Sequence, residues 1–123
     1  MNIQRLYPML LLFALPTTLA TEDLKQYKKA NASYWIYSGG LGDPTAPTFS
    51  DKKIAFSIQG DAAKKIFDII GPDKKDECAA VSGTRFRSRD NENITCTRNK
   101  ENHYSCSFGF DLATGKSIGG SIC

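Results

Sequence analysis

The chain has 123 residues, with 16 basic against 13 acidic side chains and a formal net charge of +3. So mild a balance gives no footprint for nucleic acid, which calls for a strongly basic face. A single histidine and four cysteines leave little for acid–base catalysis and suit a small disulfide-braced domain in an oxidising compartment.

In chain order, residues 1–20 read as a signal peptide, with Arg5 as the basic end and Met9–Leu15 as a short apolar core. Thr18 and Ala20 supply the small residues before a cleavage point, and the apolar run is too short to span a bilayer. Cleavage after Ala20 leaves residues 21–123 as a single domain of 103 residues, with 15 basic against 13 acidic. The expected location is periplasmic or secreted, the short signal favouring a bacterial periplasm. On a eukaryotic route, Asn31-Ala-Ser and Asn93-Ile-Thr would be glycosylation acceptors.

Thr21–Ala30 reads as a short helix or a leader, anchored only by Leu24 and Tyr27. Ser33–Tyr37 is an aromatic β-type run that supplies a first strand, with Trp35 and Tyr37 opposite Tyr34 and Ile36. Ser38–Ser50, with three glycines and two prolines, reads as a long surface connection that excludes helix and central strand. Ile54–Ile58 alternates as a second strand. Asp61 then reads as the N-cap of a helix over Ala62–Ile70, whose Ala62, Ala63, Ile66, Phe67 and Ile70 form one apolar stripe. Gly71 and Pro72 stop it, and Pro72–Glu77 is a charged turn.

The last third, Cys78–Cys123, holds all four cysteines. Ile94–Thr97 and Tyr104–Leu112 alternate as strands joined by the polar turn Arg98–His103, with Cys96, Cys106, Phe108 and Phe110 facing inward. A weaker strand returns over Ser117–Cys123. The fold class that follows is α+β: a small antiparallel meander of about five strands, with the helix docked on the Phe108/Phe110 face. Four cysteines permit three pairings. Loop sizes favour Cys78–Cys96 with Cys106–Cys123 over a Cys96–Cys106 bridge. No Cys-x-x-Cys pair exists, so neither a metal nor another cofactor is expected.

Arg85, Arg87 and Arg89 alternate, so as a strand they line one face with Phe86 on the other; this stripe reads as solvent-facing or as a contact for an acidic partner. No serine sits in a nucleophile-elbow context, and no carboxylate pair has a recognisable setting. The reading is therefore a non-enzymatic, monomeric binding module. Its alternatives are a small secreted hydrolase or a structural envelope protein.

Ser82-Gly83-Thr84-Arg85-Phe86 resembles the Ser-Gly-x-x-Tyr motif of the periplasmic inhibitors of c-type lysozyme, small secreted β-rich proteins. In that family the serine lies on a loop that enters the lysozyme cleft, and a lysine further along adds a second contact. Ser82 and Gly83 match, Phe86 replaces the tyrosine, and Lys116 is the stand-in for the lysine. The resemblance covers five residues. Taken together with the arginine stripe, it makes Ser82, Gly83, Arg85, Phe86, Arg87, Arg89 and Lys116 the expected surface for another protein, such as an envelope-attacking hydrolase or a toxin.

Overall fold

The computed structural model describes residues 8, 10–14, 26–80 and 83–122. Most of the predicted signal peptide, together with Ser82 and Cys123, lies outside them. Leu10, Leu11, Leu12 and Phe13 stand exposed, so this apolar run adds nothing to the core. Gln26–Ala30 forms no helix, and the chain passes directly into its first strand.

The described residues form seven strands and one helix: β1 (Asn31–Gly40), β2 (Asp43–Thr45), β3 (Lys53–Gln59), α1 (Asp61–Ile69), β4 (Arg85–Arg89), β5 (Ile94–Arg98), β6 (Tyr104–Asp111) and β7 (Ser117–Ile118). A single 3₁₀ turn, Glu77–Ala79, precedes β4. The sheet runs β2-β1-β3-β6-β5-β4, with β7 also on β6, and every pairing is antiparallel. This is an α+β fold. The alternation in the sequence decides the faces. Tyr34, Phe56, Phe108 and Ile94 share one cross-strand row, and Ser33, Ser57, Ser107, Thr95 and Ser88 occupy the other face.

The helix docks on the predicted face, but over a different part of it. Ala63 and Phe67 are buried against Cys96 and Cys106, with Ile58, Ile66, Ile70 and Tyr104 packed around them. The Phe108/Phe110 end stays outside this cluster, and Phe110 remains 38% exposed. The reason lies at the helix start. Gly60, not Asp61, is the N-cap residue. Because β3 ends at Gln59 opposite Ser105, α1 begins beside Tyr104 and cannot reach Phe110.

Register corrects the expected disulfide pattern. Cys96 and Cys106 are direct cross-strand partners with Cα atoms 4.1 Å apart, and they form a disulfide. The pairing favoured by loop size, Cys78–Cys96 with Cys106–Cys123, is excluded. Loop entropy constrains the unfolded chain, whereas strand register decides which sulfurs meet.

The Ser38–Ser50 stretch also departs from expectation. β1 runs on to Gly40 and folds back through β2, so a short ladder of three residue pairs replaces part of the expected loop. Asp51 fastens it: its carboxylate accepts from the Ser38 hydroxyl at 2.6 Å and the Gly39 N–H at 2.9 Å, and pairs with Lys53. Those partners, Lys53 first, hold the Asp51 carboxyl well below the usual carboxylate range.

At the other terminus, β7 lasts two residues, because the chain then leaves the ladder to cross the serine–threonine face. A side chain at Gly120 would collide with the Phe108 backbone, so only glycine allows the crossing. Ser121 then meets Thr95, hydroxyl to hydroxyl, at 3.0 Å.

Candidate functional site

The arginine stripe of β4 occupies one face, as its spacing requires, but that face is the one carrying α1. Arg87 lies 4.2 Å from the centre of the Phe67 ring and Arg85 5.3 Å, while Tyr104 meets the same ring edge-on at 5.4 Å. Arg87 donates to the Phe67 carbonyl at 2.7 Å, and Arg89 donates to the Ile70 carbonyl. These carbonyls belong to the last turn of α1 and to its C-cap residue, beyond which no further helix N–H is offered to them. Gly71, at φ 110, leaves room for the Arg89 guanidinium, which a side chain there would strike. Asp73 completes the cluster, accepting from Arg85 at 2.7 Å and Arg87 at 2.9 Å. The Arg85 and Arg87 guanidiniums hold the Asp73 carboxyl down to about 2. The stripe therefore spends much of its hydrogen bonding inside the domain.

The other residues named from the motif fall apart in space. Phe86 is buried, 1% exposed, beneath the serine–threonine face. Gly83 is exposed and abuts the Lys100 side chain, at the end of the sheet where β6 begins. Lys116 is exposed at the opposite end, where its carbonyl accepts from the Asp111 N–H. The length of β6 between these ends is roughly 23 Å at about 3.3 Å per residue. Lys116 instead lies at the same end of the sheet as the Asp51-fastened hairpin, since Lys53 pairs with Asp111. The structure thus divides the predicted contact set between two ends.

At the Gly83 end lies a hollow of 720 Å³ that the sequence did not reveal, among its lining residues Lys64, Arg98, Asn99, Asn102, His103 and Tyr104. Its floor is the start of α1 and its rim is the β5–β6 turn. Asn99 builds that turn: its side-chain oxygen accepts from the backbone N–H of Glu101 at 3.1 Å and of His103 at 2.9 Å. Asn102 adopts a left-handed φ of 62, which places its side-chain oxygen to accept from the Arg98 guanidinium. Lys64 pairs with Asp68 at 2.7 Å and lies 5.7 Å from the Tyr104 ring, with Arg98 at 6.0 Å from the same ring. The Asp68 partner raises the Lys64 pKa above its ordinary value.

Chemically, this is a set of cations and amides around an aromatic ring, with Asp61 the carboxylate in the lining. It offers donors suited to a carboxylate or a carbonyl. Each element was legible separately, as helix start, polar turn and strand. What joins them is the pairing of β3 with β6, which sets Gln59 opposite Ser105 and carries α1 to the turn.

Among the described residues no group of three or more His, Cys, Asp or Glu side chains is placed to hold a metal ion. No helix among them is long and apolar enough to cross a membrane. Comparison with protein-family models, curated proteins and solved structures finds no match to this chain.

Proposed function

We propose that this protein is an exported, non-catalytic module that binds another protein, such as an envelope-attacking hydrolase or a toxin. The surface in this reading is the hollow at the start of α1 together with the Gly83 loop beside it. The observation that carries the reading is the convergence of Lys64, Arg98, Asn99, Asn102 and His103 around Tyr104 on a turn stiffened by Asn99. The hollow is open and its cations are held by neighbours, so an acidic loop of a partner can enter without reordering it. The Cys96–Cys106 disulfide, set under the same end of the sheet, suits an oxidising compartment.

The resemblance to inhibitors of c-type lysozyme names the first partner to try. In this reading Gly83 is retained as a contact, and Lys116, at the far end of β6, is not. Titration calorimetry of the protein with c-type lysozyme, run beside a lysozyme activity assay, tests it. Expected are inhibition and a dissociation constant that rises roughly thirtyfold in Arg98→Glu, as for a contact worth about 2 kcal/mol. Lys116→Glu leaves binding unchanged. Absence of inhibition at large excess discards lysozyme as the partner. A partner whose binding survives both Arg98→Glu and Lys64→Glu removes the hollow from the reading.

A further inference from the structure

The two edges of the sheet, β4 and the Asn31–Tyr37 part of β1, differ in what guards them. β4 has a backbone partner on its outer side, where the Lys74 N–H donates to the Phe86 carbonyl at 2.8 Å, and its arginines fold over toward α1. β1 is paired residue for residue with β3 from Asn31↔Gln59 to Tyr37↔Lys53. Among the described residues nothing else pairs with Asn31–Tyr37, and β2 joins only Ser38–Gly40. Asn31–Ile36 are all exposed, with Tyr34 at 69%, Trp35 at 49% and Ile36 at 44%. Asn31–Gly40 contains no charged residue and no proline, the devices that ordinarily keep a free edge from pairing.

We infer that β1 is a self-association edge, across which a second copy of this chain pairs antiparallel with Asn31–Tyr37. Three features select a second copy as the occupant. The strand is uncharged, so laying it against itself sets no like charges opposite one another, and the pairing that uses all seven residues is centred on Tyr34. Ala32 then faces Ile36 and Ser33 faces Trp35, small against large on both faces. Second, the apolar row left bare by α1 ends at this edge: Tyr34 is the cross-strand partner of Phe56, which stacks on Phe108 at 5.3 Å, with Phe110 beyond. A two-fold axis at Tyr34 makes this row continuous through both copies. Third, the pairing uses the same edge in both copies, so it ends at a dimer and cannot extend into a filament.

Sedimentation equilibrium of the full chain over the micromolar range tests this, beside hydrogen exchange of the same samples. Expected are a mass of two chains at the upper concentrations and protection of amides in Asn31–Tyr37 that grows with concentration. Tyr34→Lys sets lysine opposite lysine and raises the dimer dissociation constant at least about tenfold. The exchange measurement needs no variant and stands even if the substitution perturbs folding. A single-chain mass throughout overturns the inference, as does a dimer whose β1 amides gain no protection. A chain that dimerises only after removal of residues 1–25 overturns it too, giving the edge to the chain's own leading segment. Protection that arises only on adding another protein gives the edge to that partner.

Discussion

β4 and, over Asn31–Tyr37, β1 form the two edges of one sheet, and they treat water in opposite ways. β4 carries three arginines yet turns them inward, onto the Phe67 ring and the last carbonyls of α1. β1 buries Tyr37 yet leaves Tyr34, Trp35 and Ile36 outside. The difference comes from where the helix lies. Fixed by Gln59 and Gly60 at its start, α1 runs toward β4, so its unsatisfied carbonyls and its C-terminal dipole fall over that strand and favour guanidinium groups there. The same placement leaves the β1 half of the face without a cover. Residue chemistry says what a side chain prefers, whereas the position of a neighbouring element decides whether the preference is met.

The comparison can be broken most severely at Phe67, the side chain on which the β4 half converges. Phe67→Ala empties a buried site and is expected to cost about 3–5 kcal/mol, measured as a lower denaturant midpoint. The guarded half should also carry the second disulfide. With Cys96 bonded to Cys106, the remaining cysteines are Cys78 and Cys123, whose neighbours Glu77 and Ile122 line one 410 Å³ hollow. Peptide mapping without reduction is expected to recover Cys78–Cys123, and replacing both by serine to cost about 2–5 kcal/mol. A free thiol at either position contradicts this.

Arg87→Ala removes the donor to the Phe67 carbonyl and half of the Asp73 pairing, and an expected loss of about 1–3 kcal/mol appears in the same melts. Asp73 supplies a pH signature for the β4 half. Its folded pKa is depressed to about 2 by Arg85 and Arg87. Its contribution is therefore fully present above the ordinary value of about 3.9, and is lost as pH falls from there through about 2. Asp73→Asn is expected to be less stable than the parent at neutral pH and to converge with it near pH 2. Parallel curves across that range would show that the pairing contributes nothing. The smallest effect belongs to the open edge, where Tyr34→Lys in the dilute single chain is expected to shift stability by no more than about 0.5 kcal/mol.

Much of the ladder was readable because period-two alternation is a local signal. Tyr104–Leu112 and Ile94–Thr97 emerge within a residue of their observed limits, and the apolar stripe Ala63, Ile66, Phe67, Ile70 is the face that docks. Ser38–Gly40 was missed as strand because two glycines depress β-propensity, while the Asp51 carboxylate that fixes them lies 12 residues or more away. The hollow was hidden for a related reason. Arg98 and Tyr104 flank a turn that reads as ordinary, and only the β3–β6 pairing brings Lys64 beside them. The arginine stripe shows the limit from the other side: its alternation was plain, but nothing local places α1 above it.

The central position of β6 bears on how the molecule is made. β6 holds β3, β5 and β7 together, yet it follows β3 by more than forty residues, so their contact closes a long loop. β4, β5 and β6 pair through short turns and form quickly, whereas joining β1–β3 to them is the slow, high-contact-order step. Until Tyr104–Asp111 has left the ribosome, the inner edge of β3 has no partner, and β1 and β3 together present an uncovered strand on each side. During synthesis that pair is the segment most in need of a chaperone, and the arrival of β6 is what releases it.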